Sequence, residues 1–235
     1  MPHKIAVILP ALNEEKALAQ LIREVPKLTL EGKGYEVEIV VVDNNSTDNT
    51  AHVAAEHGAT VLYEPKKGKG RAIIRAFQQV DADYCFMMDS DYTYPPSHII
   101  EMVEVLKDHD VVIGSRIQGK REKGSMKFIN YAGNIILSAM ASSMYHSKIS
   151  DLCTGYWGFR GHVAKNINLE KVYGFELETR MFIQVVKQGY SYKEIPVNYR
   201  CRVGTRAKLN LVRDGFKIAG SLLRHRHDLP RETGK

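Results

Sequence analysis

The sequence predicts an α/β protein built on a mostly parallel, open sheet flanked by helices. Short apolar runs alternate with segments of helical apolar spacing through residues 5–114, with no internal repeat and no low-complexity tract. The positions that follow those runs are polar or charged, and the carboxyl ends of parallel strands are where open α/β sheets bind ligands.

Residues 5–9 (Ile-Ala-Val-Ile-Leu) form a continuous apolar run closed by Pro10, the pattern of a strand buried on both faces. Asn13 is expected to cap the next helix, with Glu14 and Glu15 in a first turn where the dipole favours acids. That helix runs to about residue 25, where Pro26 stops it. A second buried strand over 37–42 delivers Asp43, and Ser46 or Asp48 caps a helix that reaches about residue 57 and closes at Gly58. Residues 60–63 read as a third strand. A glycine-rich basic loop over 66–71 leads into a helix to about residue 80. The fourth strand, 84–88, ends at Asp89; a helix over 97–107 and a fifth strand over 111–114 follow.

The pattern then changes. Residues 115–127 are polar and basic, the composition of a flexible loop, and 128–146 read as a packed helix. Residues 151–160 hold glycines and the chain's only tryptophan, which predicts a tight, shaped segment with Trp157 in the core. A helix starts within 174–178 and ends at Lys187, with Gly189 as its stop. Glu176 and Glu178 lie two apart and so point in different directions on a helix, which lets at most one face a site; a surface acid at the helix start is the plainer alternative. Residues 192–199 alternate as an edge strand, since Pro196 has no N–H for the ladder. The strand delivers the basic cluster Arg200, Arg202, Arg206 and Lys208. Residues 210–224 have apolar residues at helical spacing with basic neighbours, so this helix either packs on the domain or lies on an anionic membrane. The tail from about residue 225 is polar.

A chain of 235 residues is long enough for one sizeable core. The net charge of +6 suits anionic partners such as phosphates or an acidic membrane surface. No aromatic-studded basic stripe is present, so nucleic acid is not an expected partner. Cys85, Cys153 and Cys201 are odd in number and far apart, which fits a reducing compartment rather than a disulfide framework. The first strand begins within the first residues, so no leader is expected. The segment 128–145 contains Asn130, Asn134 and several serines and falls short of a membrane span, which needs about 20 mostly apolar residues; an ordinary packed helix is the first reading and an interfacial helix the second.

The candidate centre is Asp89-Ser90-Asp91, two carboxylates one residue apart just past a buried strand. Mg²⁺ and Mn²⁺ take oxygen ligands, often one or two protein carboxylates with a substrate's phosphates completing the shell. Taken alone, the pair also fits a solvated acidic turn. Its weight comes from company: Asn13 and Glu14, Asp43, and the 66–71 loop all fall at the same strand ends. Together they imply a nucleotide-like or phosphorylated ligand. The loop lacks the Gly-x-x-x-x-Gly-Lys-Ser/Thr of a phosphate-binding P-loop, and no Gly-x-Gly-x-x-Gly follows the first strand, which counts against kinase and dinucleotide dehydrogenase readings.

Assembled in order, these motifs resemble the GT-A type glycosyltransferases of family 2, and within them the dolichyl- or polyprenyl-phosphate sugar synthases. The elements are Pro10-Ala11-Leu12-Asn13-Glu14, Asp43 through Asp48, Gly68-Lys69-Gly70, Asp89-Ser90-Asp91, Gly114-Ser115-Arg116, Asp151 through Arg160, Glu176-Leu177-Glu178, and Arg202 through Leu209. The resemblance implies a Rossmann-like GT-A catalytic domain over 1–209, with a nucleotide-sugar part (1–116) and a C-terminal acceptor-side part (117–209). The amphipathic basic helix and tail of 210–235 would follow it. Pro10, Asn13, Glu14, Asp43, Asn45, Lys69 and Asp89 would bind the nucleotide-sugar, and Asp89 and Asp91 would hold Mg²⁺ or Mn²⁺ on its diphosphate. Two departures stand out. Thr93 occupies a position where the polyprenyl branch often has glutamine, and Ala207-Lys208 replaces a Ser-Lys pair.

The implied reaction is an inverting transfer from a UDP-sugar or GDP-mannose to a polyprenyl or dolichyl phosphate. Arg116 and a metal at Asp89/Asp91 would stabilise the charge that develops on the leaving phosphate. A lipid phosphate is ionised at neutral pH and needs cations, for which Arg200, Arg202 and Lys208 are the candidates. A hydroxyl acceptor would need a base, with Glu178, Glu176 or Asp151 at hand. The basic cluster favours the lipid phosphate, with the protein cytoplasmic and peripheral on the cytoplasmic face of a membrane. The alternatives are a family 2 enzyme acting on a hydroxyl, a nucleotide-sugar-binding protein without catalysis, and a membrane scaffold. No residue distinguishes uracil from guanine or one hexose from another.

Overall fold

A computed structural model describes residues 2–169, 172, 174, 176–204 and 211–226. Seven strands make one sheet: β1 (His3–Ala11), β2 (Tyr35–Asp43), β3 (Thr60–Tyr63), β4 (Tyr84–Met88), β5 (Val111–Ser115), β6 (Tyr156–Arg160) and β7 (Tyr192–Pro196). Their order across the sheet is β3-β2-β1-β4-β6-β5-β7. All neighbours run parallel except β6, which pairs antiparallel with both β4 and β5. The chain order therefore reverses direction at β1 and β4, and the crevice at that switch point is where an open sheet offers a ligand site.

Alternate residues of each strand feed two cores. Ile5, Val7 and Leu9 of β1 face α1 (Glu15–Glu24), α2 (Lys27–Glu31), α3 (Thr50–Glu56) and α5 (Ile99–Val105) through Leu18, Leu21, Leu30, Ala54 and Met102. Ala6 and Ile8 face the other layer: α4 (Lys69–Gln79), α6 (Phe128–Tyr145), α7 (Gly161–Asn166), α8 (Leu177–Lys187) and α9 (Leu211–Arg224). Both faces of the sheet are covered, which is why the strands read as unbroken apolar runs.

Three local expectations change. Asn13 does not cap α1: it sits in the left-handed region (φ 56°) and its side chain accepts from the backbone N–H of Thr47 at 2.8 Å. The first N–H groups of α1 are met instead from the 46–50 loop, Glu14 N–H by Thr50 Oγ1 at 2.9 Å and Glu15 N–H by Asp48 at 3.3 Å. The N-cap of α3 is Asn49 rather than Ser46 or Asp48, and Asp48, one residue earlier, accepts from the N–H of Thr50 at 3.0 Å. The third change is β6, a strand inside the segment expected only to be a shaped turn. Trp157 is fully buried there, as predicted, with its indole N–H donating to Thr154 O at 2.8 Å.

Gly158 explains why the strand is hard to see. A Cβ at this position would lie 2.7 Å from both Phe86 and Val112, so the strand fits between β4 and β5 only by having no side chain here. Gly158→Ala is expected to cost about 1–3 kcal/mol as an overpacked core. Thermal denaturation should register this as a fall of several degrees, at about 2–4 °C per kcal/mol for a chain this long.

The helix expected over 210–224 begins at Leu211 among the described residues and is docked on the domain. Ile218 and Leu222 are buried, and Tyr145 of α6 donates to Leu222 O at 2.9 Å. Packing is thus the observed role of this helix's apolar stripe. No helix among the described residues is long and apolar enough to cross a membrane.

Candidate active site

The strand ends meet at the switch point. Ser90 donates from Oγ to Pro10 O at 2.8 Å, which ties the end of β4 to the end of β1. Asp91 is 3 % exposed. One of its oxygens accepts from Thr93 N–H at 3.1 Å and Thr93 Oγ1 at 2.5 Å; the other pairs with the Arg202 guanidinium. Burial, reinforced by the charge of Asp89, holds the Asp91 carboxyl above its usual range despite Arg202 and Thr93. Thr93 thus points at Asp91 and fixes its rotamer, a use for the residue found where glutamine was noted as common.

Asp89 lies two residues away in a different environment. Lys69, the first residue of α4, reaches from the glycine-rich loop and places its ammonium 2.5 Å from Asp89 and 2.5 Å from Glu178. Burial would depress the Lys69 pKa, but the two carboxylates outweigh it and hold the amine protonated. Gly155 lets Asp89 sit where it does, since a Cβ there would come within 2.3 Å of the carboxylate. Glu178 is buried in the first turn of α8, so the plainer reading of it as a surface acid fails. Burial raises its pKa against the pull of Lys69. Glu176 accepts from the Gly174 N–H at 3.2 Å.

Arg116 and Asp151 are brought together, but as a clamp. Asp151 is fully buried, and Arg116 Nε and Nη2 donate to its two oxygens at 2.7 and 2.6 Å. The Arg116 N–H (2.8 Å) and Asn134 Nδ2 (2.7 Å) donate to the same carboxylate. The Arg116 guanidinium also lies 5.3 Å from the centre of the Tyr199 ring. Burial would lower the Arg116 pKa, and Asp151 more than restores it. The described contacts of the Asp151 carboxylate all serve the clamp, and Arg116 Nε and Nη2 face that carboxylate. Spacing along the chain does not reveal that residues 35 apart pair with one another.

The chain leaving β7 runs back along the β4 turn. Arg200 N–H donates to Thr93 O at 2.8 Å and Val203 N–H to Asp91 O at 3.2 Å. Arg200 pairs with Glu24 of α1 at 2.7 Å and stacks 4.8 Å over the Tyr92 ring, so its charge is directed away from Asp91. Arg202 points into the acidic pair. Lys208 and Arg206 lie outside the described residues. Residues 203 and 204 close one side of an open pocket of about 210 Å³ whose other walls are Asn13, Glu14, Lys16 and Asp48. A larger hollow of about 560 Å³, around His3, Asp83 and His162, lies at the opposite ends of the strands.

The remaining predicted binding residues shape the loops. Asp43 accepts from Ser46 N–H at 3.1 Å, and Asn45, in the left-handed region at φ 61°, donates to Pro65 O at 3.1 Å. Sequence reasoning assigned no role to Asn44, which is nearly buried and organises the glycine-rich loop. It donates to Lys66 O at 2.8 Å and accepts from Gly68 N–H at 2.6 Å. Its neighbour Asp43 was the signal, as part of one polar run. Asn134 was also missed, because it sits in the middle of an apolar helix and only its contact with Asp151 shows its purpose.

No cluster of three or more metal-ligating side chains occurs among the described residues. The donor set is the pair Asp89 and Asp91, each already matched to a cation, Lys69 and Arg202. Two carboxylates at a strand end suit a hard dication whose other ligands come from a substrate's phosphates. The residues fit such an ion.

A mostly parallel α/β sheet with paired acids at its switch point is the framework of a GT-A glycosyltransferase. The chain belongs to glycosyl transferase family 2, whose family model matches residues 6–167. Among its relatives, the low-salt glycan biosynthesis hexosyltransferase Agl6 of Haloferax volcanii is 33% identical over 216 residues, covering 91% of this chain and 51% of that protein. The chain thus spans about half the length of that relative. The dolichyl-phosphate hexose transferase of the same organism is 30% identical over 221 residues, covering 94% of this chain and 92% of that protein. Among solved structures, the glucosyl-3-phosphoglycerate synthase of Mycobacterium tuberculosis, in a complex with Mn²⁺, UDP and glucosyl-3-phosphoglycerate, superposes with a TM-score of 0.73 at 19% identity. That alignment covers 98% of this chain and 82% of that one.

Proposed function

We propose that this glycosyltransferase moves a hexose from a nucleoside diphosphate sugar to a polyprenyl or dolichyl phosphate, with inversion and with Mg²⁺ or Mn²⁺ at Asp89 and Asp91. The observation that carries the reading is the placement of Arg202. It extends from the chain after β7 to the acids at the end of β4, so donor-side carboxylates and an acceptor-side cation share one point. The full-length relative named for dolichyl-phosphate hexose transfer supports the acceptor class.

Pro10, Asn13, Glu14, Asp43 and Asn45 shape the crevice that receives the base and ribose, with Asn13 and Asn45 in backbone conformations that open the loop. Asp89 and Asp91 would hold a divalent cation, which would supply positive charge to neutralise the diphosphate. Lys69 orients Asp89 and Glu178 and adds a fixed positive charge beside the leaving group. Arg202, once released from Asp91, is placed to attract the acceptor's phosphate, with Lys208 following in the chain. A phosphate nucleophile is ionised at neutral pH and makes no demand on a base. The clamping of Asp151 agrees with that economy.

A second reading keeps the donor site and gives Glu178 the task of deprotonating a hydroxyl. Its buried carboxyl with a raised pKa is the observation in favour, since a base works best near the operating pH. A panel of UDP- and GDP-sugars with short polyprenyl phosphate, scored for lipid-linked product by mass spectrometry, separates the two. Lipid-linked hexose from one donor is the expected result. Turnover only with a soluble hydroxyl acceptor would transfer the assignment to the second reading. The protein then works at the cytoplasmic face of a membrane, where such a lipid presents its phosphate.

A further inference from the structure

The residue between Asp91 and Thr93 holds a backbone conformation that its side chain disfavours. Tyr92 has a φ of 68°, in the left-handed region it shares with Asn13, Asn45 and His146. Asparagine and histidine enter that region more readily, whereas a bulky aromatic there is strained. Glycine would relax the turn, so the tyrosine is explained by what its side chain does. Strained backbone persists where surrounding contacts hold it, and it gathers at functional sites. The contacts here lead to α1 and to the segment that follows β7.

The Tyr92 hydroxyl donates to Oε1 of Glu24, the last residue of α1, and accepts from Gln20 Nε2 at 2.6 Å. The second oxygen of Glu24 accepts from Arg200 Nη1 at 2.7 Å, and the Arg200 guanidinium lies 4.8 Å over the Tyr92 ring. Three side chains from three parts of the chain therefore close a loop of contacts. Burial would raise the Glu24 pKa, but the Tyr92 hydroxyl and Arg200 outweigh it and hold the carboxyl below the usual glutamate range. The main chain is fastened beside them, with Arg200 N–H donating to Thr93 O at 2.8 Å and Val203 N–H to Asp91 O at 3.2 Å. Arg202 lies between these two anchors, and its guanidinium meets Asp91. Without Glu24, a second guanidinium two residues from Arg202 would lose its counter-charge near the same acids.

We infer that Glu24 and Tyr92 are positioning residues for Arg202. Their hold on Arg200 keeps residues 200–203 against the β4 turn and leaves Arg202 as the arginine that faces the acids. Both act through Arg202 rather than on a substrate. The inference deepens the lipid-phosphate reading and rests on it for what Arg202 meets once it leaves Asp91. It gives α1, a helix at the donor end of the chain, a part in presenting an acceptor-side cation.

Amide hydrogen exchange read by NMR on the protein alone tests the positioning, and steady-state transfer to a short polyprenyl phosphate tests its use. Glu24→Gln keeps an oxygen for the Tyr92 hydroxyl and removes the charge that pairs with Arg200. In this variant the Arg200 and Val203 amides should exchange about tenfold faster, as a locally loosened segment does. The melting temperature should stay unchanged, since a partly exposed ion pair contributes little to stability. The KM for the polyprenyl phosphate should rise about tenfold while the KM for the donor stays within about twofold. Tyr92→Phe, which keeps the ring and loses the hydroxyl, should move both readouts the same way by a smaller factor. Because the effect runs through Arg202, Glu24→Gln/Arg202→Gln should show the acceptor KM of Arg202→Gln alone. Unchanged exchange at residues 200 and 203 overturns the inference, as do donor and acceptor KM values that rise together or losses that add in the double variant. If no polyprenyl phosphate is turned over by the wild type, the lipid reading fails by itself, and the exchange result still decides the positioning.

Discussion

Asp91→Asn is expected to lower kcat/KM for sugar transfer by about 10²–10³-fold or more, the scale seen when a preorganised electrostatic group is removed from a transition-state site, with little change in stability. The substitution keeps the shape of the side chain and the oxygen that accepts from Thr93, and removes the charge that faces Arg202. The fold should tolerate this, because ionised Asp91 is buried beside Asp89 and its pKa is raised by that burial. A steady-state transfer assay and a thermal melt on the same preparation check both halves. Full activity in the variant would dismiss the carboxylate pair as the donor anchor.

Asp151→Ala is expected to give the largest loss of stability of any single change in the site, about 3–5 kcal/mol. It strands a buried guanidinium without its counter-charge. For a chain of this size that is a fall in melting temperature on the order of 10 °C. Asn134 loses its acceptor in the same step, so the 151–153 turn and the inner face of α6 should loosen together. The paired replacement Arg116→Met/Asp151→Leu should recover much of the stability, since removing both charges removes the desolvation penalty. Calorimetry on the single and double variants decides. A double variant no more stable than the single would mean that the charge pair is not what the clamp contributes.

The sheet was legible because its strands are buried on both faces. The runs at 5–9, 37–42 and 84–88 have no alternation to misread, and Pro10, Asp43 and Asp89 mark where each one ends. The strand-end acids were legible for the same reason: in a parallel sheet, position along the chain is position in space. What escaped depends on contacts that cross the chain. Strand β6 was hidden by Gly158, whose lack of a side chain weakens the strand pattern and is also what lets it enter the sheet. The Arg116–Asp151 clamp and the Lys69 bridge to Asp89 and Glu178 join residues 35, 20 and 109 positions apart. Spacing on one element carries no signal of either. Asn13 was assigned as a cap from local chemistry, but the 46–50 loop already meets the N–H groups of α1, which frees Asn13 to hold Thr47. For α6 the sequence offered a packed helix first and an interfacial helix second, because composition shows how apolar a helix is and not which way it turns.

The acids at the end of β4 as the seat of the donor's diphosphate and its metal form the central claim. Crystallography of the protein with Mn²⁺ and UDP or GDP, with anomalous data collected at the manganese edge, tests it most directly. The prediction is an anomalous peak bridging a nucleotide phosphate to Asp91 and Asp89, with Arg202 moved off the Asp91 carboxylate. Nucleotide bound without a peak there, and Arg202 still paired with Asp91, would contradict it.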